Sequence, residues 1–185
     1  MSTAYEARDA ALLAASIEHR AALPAAQLAR LREFARRTTP DDRHARFHGL
    51  RALDTDDELI GAFGPRIPGA EAIWTLASDG QLTAVANLAT LSVGHAEFAL
   101  LVRSDLHGRG LGSMLVQLCL ARARSLRCGR LWVLVAVDNP RMRRLAHKFA
   151  FRSAATHGDS IEIWRDTGAR PAHAFIDPAG DRPCP

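Results

Sequence analysis

The 185-residue chain is poor in cysteine and has no long apolar run. Its three cysteines, Cys119, Cys128 and Cys184, are odd in number and lack CxxC spacing, which indicates neither a disulfide framework nor a zinc site. No stretch reaches the roughly 18 uninterrupted apolar residues that a membrane helix needs. Charged residues interrupt the alanine-rich start, where a signal peptide would have an apolar centre. We therefore expect a cytoplasmic protein with reduced thiols and no membrane contact.

With 185 residues, of which 48% are hydrophobic, the chain is long enough for one packed core and too short for two comfortable domains. We predict a single domain over residues 1–165, with a helical N-terminal extension over 1–50 and a disordered tail over 166–185. The net charge of +4 fits an anionic partner, such as nucleic acid, a phosphorylated cofactor or an acidic protein surface. The basic segment 30–37 favours a helix with a solvated arginine face over a nucleic-acid contact.

The first part of the chain has helical periodicity. Helices are predicted over 4–20 and 25–38, which Pro24 separates, and a further helix over 54–63. The sequence TTPDD predicts another helix start, with Thr39 as its cap and Pro40 at its first position.

Strand periodicity begins near residue 71. Three antiparallel strands are predicted between 71 and 103, with a turn at Asp79 and Gly80. A helix should begin near Gly110 and end near Cys128, with Gly129 as a left-handed cap. The remaining predicted elements are a buried strand over 130–137, a helix over 139–151 that Asn139 caps, and a last strand over 160–164.

The hexapeptide HGRGLG lies between a predicted strand and a predicted helix. The first N–H groups of a helix lack intrahelical partners and carry partial positive charge, so this loop predicts a phosphate-binding geometry; a tight surface turn is the alternative. The Rossmann spacing GxGxxG is absent, because its third glycine would fall on Ser113 or Leu115. No GK step followed by Ser or Thr is present, which excludes a Walker loop.

The order of strand, HGRGLG, helix, apolar strand and short helix resembles the Gcn5-related N-acetyltransferase (GNAT) superfamily over residues 71–164. The superfamily's cofactor motif lies on His107, Gly110 and Gly112 of this sequence. The stretch AEFALLVRSDLHGRGLGSML, and the pair Arg46 and Phe47 after TPDD, are similar to the acetyltransferase domain of bacterial protein lysine acetyltransferases. The resemblance implies an α/β (α+β) fold with a mixed, mostly antiparallel sheet flanked by helices.

The resemblance also implies acetyl transfer from acetyl-CoA to an amine, without a metal. Glu97 occupies the position of the subgroup's catalytic glutamate, and a lysine amine with a pKa near 10.4 needs a base; a carboxylate on a solvated sheet face is the alternative. Asn139 either contacts the pantetheine or serves as a helix cap. The residues that the resemblance assigns to cofactor binding are Leu101, Val102, Arg103, His107, Gly108, Arg109, Gly110, Leu111, Gly112, Ser113 and Asn139.

The sequence departs from the superfamily pattern at three positions. His107 replaces the usual Gln or Arg, and Ala150 stands where a glycine usually precedes the Phe. Ala146 replaces the Tyr that protonates the leaving thiolate, which leaves water or His147 as the proton donor. The acceptor is predicted to be a protein lysine, with a small-molecule amine as the alternative. A non-catalytic acyl-CoA sensor and a DNA-binding regulator are the other hypotheses, and the oligomeric state stays open.

Overall fold

The computed structural model describes residues 14–18, 25–47, 58, 70–76, 79–92 and 94–169. Apart from Glu58, the helix predicted over 54–63 lies outside this part of the chain. The helices are α1 (Ala25–Arg36), α2 (Pro40–Phe47), α3 (Leu111–Ser125) and α4 (Pro140–Lys148). The strands are β1 (Ala14–Glu18), β2 (Ala70–Leu76), β3 (Leu82–Ser92), β4 (His95–Val102), β5 (Arg130–Ala136), β6 (Arg152–His157) and β7 (Ser160–Asp166).

The seven strands form one sheet in the order β1-β2-β3-β4-β5-β7-β6. Every neighbouring pair is antiparallel except β4 and β5, which are parallel. The prediction of a mixed, mostly antiparallel sheet flanked by helices is therefore confirmed. None of the helices in the described residues combines the length and apolarity needed to span a membrane.

Helices cover both faces of the sheet because β3 and β4 carry apolar side chains on both faces. On one face, α3 and α4 close the larger core, in which Leu115, Phe98 and Leu131 are fully buried. On the other face, Leu31 and Phe34 of α1 pack on Val85 and Leu101. Residues 97, 99 and 101 alternate with 96, 98 and 100 along β4, so Glu97 and Leu101 point to the α1 and α2 face.

The helix predicted over 4–20 is wrong at residues 14–18, which form β1 and pair antiparallel with β2. Alanine favours a helix in isolation, but the free edge of β2 offers this segment a ladder of backbone hydrogen bonds, and tertiary pairing overrides propensity. Strand β6 was not predicted. Its side chains are mostly exposed, so it lacks the alternation of apolar and polar residues that marks a half-buried strand.

Helix α3 ends with Arg127, not Gly129, in the left-handed conformation, at a φ of 56°. The N–H groups of Arg127 and Cys128 donate to the carbonyls of Arg124 and Ala123, which is the hydrogen-bond pattern of a Schellman motif. At the end of the domain, β7 runs to Asp166 and Thr167 is buried. From residue 170 onward, the predicted tail lies outside the described residues.

Candidate active site

The parallel strands β4 and β5 separate part-way along their length. They pair at His95–Arg130, Ala96–Leu131 and Glu97–Trp132, and in the described residues the ladder goes no further. Strand β4 nevertheless continues to Val102 and β5 to Ala136. A gap therefore opens in the sheet, and Glu97 belongs to the last pair before the strands part.

The glycine loop lies at the open end of this gap. After a single 3-10 turn at Ser104–Leu106, Gly108 and Gly110 adopt φ values of 77° and 87°, which favour glycine. Gly110 precedes α3, and its carbonyl accepts the first intrahelical bond from the N–H of Met114 at 3.0 Å. The N–H groups of Leu111, Gly112 and Ser113 come before that bond, so they have no intrahelical acceptor.

The last turn of α4 packs against the first turn of α3. A Cβ built at Gly112 would lie 3.3 Å from Cδ2 of Leu145, so glycine allows this close approach. Lys148 Nζ donates a hydrogen bond to Ser113 Oγ at 2.9 Å. The first turn of α3 thus combines free N–H groups, the positive end of the helix dipole and a lysine ammonium, which together favour an anion.

At the end of β4, alternate residues turn their backbone N–H and C=O groups toward the gap. Arg103 N donates to Thr83 O of β3 at 3.0 Å, and antiparallel pairing turns alternate residues toward the same neighbour. Leu101 therefore also faces β3, whereas the backbone of Val102 faces the gap. His107 Nε2 lies 3.3 Å from the carbonyl oxygen of Val102. The Arg103 guanidinium bonds to Asp105 and Gln81.

Asp42, in the first turn of α2, was not singled out from the sequence as a site residue. Its carboxylate accepts hydrogen bonds from Arg141 Nη1 and Thr39 Oγ1, each at 2.8 Å, and from Ser104 Oγ at 2.5 Å. Its Oδ2 lies 3.8 Å from His107 Nε2. Asp42 therefore joins α2 to the glycine loop and to the start of α4. The predicted Thr39 cap is confirmed, since Thr39 Oγ1 accepts from Asp42 N at 3.2 Å.

Glu97 is half-buried on the α1 and α2 face. Its paired neighbours on that face are Ala89 of β3 and Trp132 of β5. From α2, Arg46 interacts electrostatically with Glu97: burial lowers the pKa of Arg46 to about 10, and the negative charge of Glu97 opposes that shift. Glu97 therefore has an alanine and an indole beside it in the sheet and a half-buried cation nearby.

Helix α4 places the other predicted residues. Asn139 Oδ1 accepts from Met142 N at 2.9 Å, so the predicted helix cap is confirmed, and the proposed pantetheine contact stays a prediction. Ala146 is buried in the larger core, whereas His147 is exposed. Successive helical residues point about 100° apart, so His147 does not occupy the position of Ala146. Across the described ranges, no three His, Cys, Asp or Glu side chains come together as metal ligands would.

Comparison with known proteins identifies the fold. A family model of the acetyltransferase (GNAT) family matches residues 20–151. No curated protein matches the chain. The GNAT domain of PAT from S. lividans is 18% identical, with a TM-score of 0.68 over 83% of this chain and 90% of that one. Spermidine N-acetyltransferase from Vibrio cholerae, solved with CoA and spermine, is 15% identical, with a TM-score of 0.65 over 84% and 96%.

The yncA protein from Salmonella typhimurium, solved with its cofactor acetyl-CoA, is 19% identical, with a TM-score of 0.60 over 89% of this chain and 99% of that one. These structures share the fold, and the family model spans well over half of the sequence. The chain belongs to the acetyltransferase (GNAT) family, and the protein is an acyl-CoA-dependent N-acetyltransferase.

Proposed function

We propose that the protein transfers the acetyl group of acetyl-CoA to a protein lysine, with Glu97 as the general base. The observation that carries this proposal is the position of Glu97 in the last β4–β5 pair before the strands part. A carboxylate at this point lies beside a gap whose other end is the glycine loop. The same gap can therefore present a thioester near the base and a pyrophosphate near α3.

The residues around the gap fit the cofactor. The free N–H groups of Leu111, Gly112 and Ser113 suit a pyrophosphate, and Gly108 and Gly110 let the backbone approach it closely. Arg109 is exposed in the same loop, and Lys148 adds a cation beside Ser113. The resemblance assigns Leu101, Val102 and Arg103 to cofactor binding, and Val102 is the one of these three whose backbone faces the gap. Its N–H is therefore a candidate donor to the thioester carbonyl oxygen as that oxygen becomes negative.

In the proposed reaction, each step of proton transfer is assigned to a group of the protein or to water. Bound acetyl-CoA supplies an acyl thioester. Glu97 takes the proton from the acceptor nitrogen, directly or through a water, while that nitrogen bonds to the acyl carbon and the carbon–sulfur bond breaks. Water protonates the leaving thiolate, because Ala146 offers no acid and His147 points elsewhere. Arg46 and Trp132, both half-buried, lie near the base and limit its contact with solvent.

The surroundings of Glu97 favour a single amine over a polycation. In the described part of the sheet, its neighbours in register are Ala89 and Trp132, and the nearby charge is the guanidinium of Arg46. A polyamine carries several positive charges, so a site that binds it needs several carboxylates to pair with them. The similarity of residues 96–115 to protein lysine acetyltransferases supports the same choice. The free buried thiols of Cys119 and Cys128 fit a cytoplasmic site of action.

Mass spectrometry of acetylation reactions tests the acceptor. Purified protein and acetyl-CoA are incubated with a panel of bacterial proteins, and separately with spermidine, amino acids and aminoglycosides. The proposal predicts a mass increase of one acetyl group on lysine side chains of particular proteins. Acetylation of small amines alone would show that the acceptor is a small molecule and not a protein. Binding of acetyl-CoA without acetylation of any acceptor would indicate a sensor.

A further inference from the structure

Arg46 is half-buried against the sheet face that carries Glu97, and its Nε is fully buried. Its Nη2 donates to Asn87 Oδ1 at 3.0 Å, and its guanidinium stacks 4.7 Å from the ring centroid of Phe47. Among the described residues, Arg46 Nε is the one buried side-chain nitrogen or oxygen without a hydrogen-bond partner. A buried donor of this kind costs free energy, so its presence calls for an explanation.

The sheet register brings Arg46 and Glu97 together. Asn87 pairs with Ala99, and Glu97 pairs with Ala89, so Asn87 and Glu97 are diagonal neighbours on one face. Diagonal neighbours in a sheet are within reach of one long side chain. Arg46, held by Asn87, therefore lies close enough for its charge to act on Glu97. It remains ionised at neutral pH, because its lowered pKa of about 10 is still well above 7.

Helix α2 fixes this cation relative to the cofactor loop. Asp42 anchors the first turn of the helix to Ser104 and Arg141, as described above. Arg46 lies one turn further along the same helix, and Phe47 packs on the core beneath α1. Helix α2 thus contacts the glycine loop through Asp42 and lies near the Glu97 carboxylate through Arg46.

We propose that Arg46 is the positioning residue of Glu97: its guanidinium, which Asn87 fixes diagonally across from Glu97, attracts the carboxylate and keeps it in the orientation that accepts the proton of the acceptor amine. This inference rests on the proposed role of Glu97 as the base. Arg46 touches neither reactant and acts through Glu97.

A double-mutant cycle tests the inference. Arg46→Gln, Glu97→Gln and the double variant are compared by kcat with the best acceptor, and acetyl-CoA affinity is measured by calorimetry. Residues in one network couple, so Arg46→Gln should lower kcat by about 10- to 100-fold in the wild-type background and by less than about twofold in the Glu97→Gln background. The Kd for acetyl-CoA should stay unchanged, and Arg46→Lys should retain most of the activity.

Arg43→Gln is the matched control, because Arg43 lies one turn earlier on α2 and donates to the carbonyl of Ala35 on α1. It should leave kcat unchanged. If Arg46→Gln does not fold, Asn87→Ala removes the partner that holds the guanidinium and should lower kcat in the same background-dependent way.

Two results would overturn the inference while leaving Glu97 as the base: an unchanged kcat for Arg46→Gln, or an equal drop with and without Glu97. A wild-type kcat for Glu97→Gln would instead show that Glu97 is not the base, and the proposed role of Arg46 would fail with it. Loss of acetyl-CoA binding in Arg46→Gln would indicate a structural role only.

Discussion

The carboxylate of Asp42 accepts a hydrogen bond from the guanidinium of Arg141 at 2.8 Å, and this contact joins α2 to the start of α4. The two partners differ in burial, since the Asp42 side chain is 12% exposed and that of Arg141 is 64% exposed. Asp42 also accepts from Thr39 and Ser104. The structure therefore makes Asp42 the centre of the cluster and Arg141 a peripheral member.

Urea denaturation of Asp42→Ala and Arg141→Ala checks this difference. Asp42→Ala strands several donors and should lower the free energy of unfolding by about 1–3 kcal/mol. Arg141→Ala removes an exposed ion pair and should cost less than about 1 kcal/mol. Equal losses would contradict the assignment of Asp42 as the central member.

Ala150 follows the C-terminus of α4 with a φ of 54°, the conformation that costs a residue with a Cβ about 1–2 kcal/mol. The N–H groups of Ala150 and Phe151 donate to His147 and Ala146, so the chain forms the same cap as at Arg127. Ala150→Gly should raise the free energy of unfolding by about 0.5–1 kcal/mol, after the added entropy of the unfolded chain is subtracted. Chemical denaturation measures the change.

Ala121→Gly is the control for that prediction, since Ala121 is exposed within α3 and has ordinary helical geometry. It should lower stability by about 1 kcal/mol. A loss of stability in both glycine variants would show that Ala150 is not strained.

Gly110 tests the cofactor loop. A Cβ at this position would meet nothing within 4 Å, so a side chain is opposed by the left-handed backbone and not by a clash. Gly110→Asp also places a negative charge at the first turn of α3, and it should weaken acetyl-CoA binding more than tenfold, or more than about 1.4 kcal/mol. Calorimetric titration with acetyl-CoA and CoA measures the loss.

Gly158→Asp is the matched control, because Gly158 also has a positive φ and open space around it but lies in the β6–β7 turn. It should lose stability and keep the wild-type Kd. Similar affinities for the two aspartate variants would place the phosphate elsewhere.

Burial raises the pKa of the Cys119 thiol to about 12. The thiol ionises near pH 8.5 in the unfolded chain, so between these values the folded protein holds a proton that the unfolded chain has lost. Stability should therefore fall as the pH rises through this window. From pH 8 to pH 10, the free energy of unfolding should fall about 2 kcal/mol further in the wild type than in Cys119→Ala. Urea titrations in which the wild type and Cys119→Ala lose equal stability between pH 8 and pH 10 would show that the Cys119 thiol does not cause the fall.

The fold was predictable where local pattern and tertiary pairing agree. The Asp79–Gly80 turn and the apolar runs beside it indicated β2, β3 and β4, and the glycines of HGRGLG indicated the start of α3. Strand β1 was missed because its alanines favour a helix until the edge of β2 is present. The left-handed residue after α3 was missed because arginine takes a position that glycine usually occupies.

Contacts across long stretches of chain limited prediction of the site. Arg46 and its partner Asn87 are 41 positions apart, and Asp42 and Arg141 are 99 apart. No local pattern links such residues, because the register of β3 and β4 and the docking of α2 bring them together. Glu97 could be proposed from its resemblance to a known position, whereas its place at the end of the β4–β5 ladder required the structure.

The most direct test of the account is the steady-state rate of acetyl transfer by Glu97→Gln, measured beside its affinity for acetyl-CoA. The matched control is Glu162→Gln, a half-buried glutamate on β7, which β5 separates from β4. The account predicts a fall in kcat of about 10²- to 10³-fold for Glu97→Gln, as expected for the loss of a general base, with an unchanged Kd. A kcat within twofold of the wild type for Glu97→Gln would contradict it.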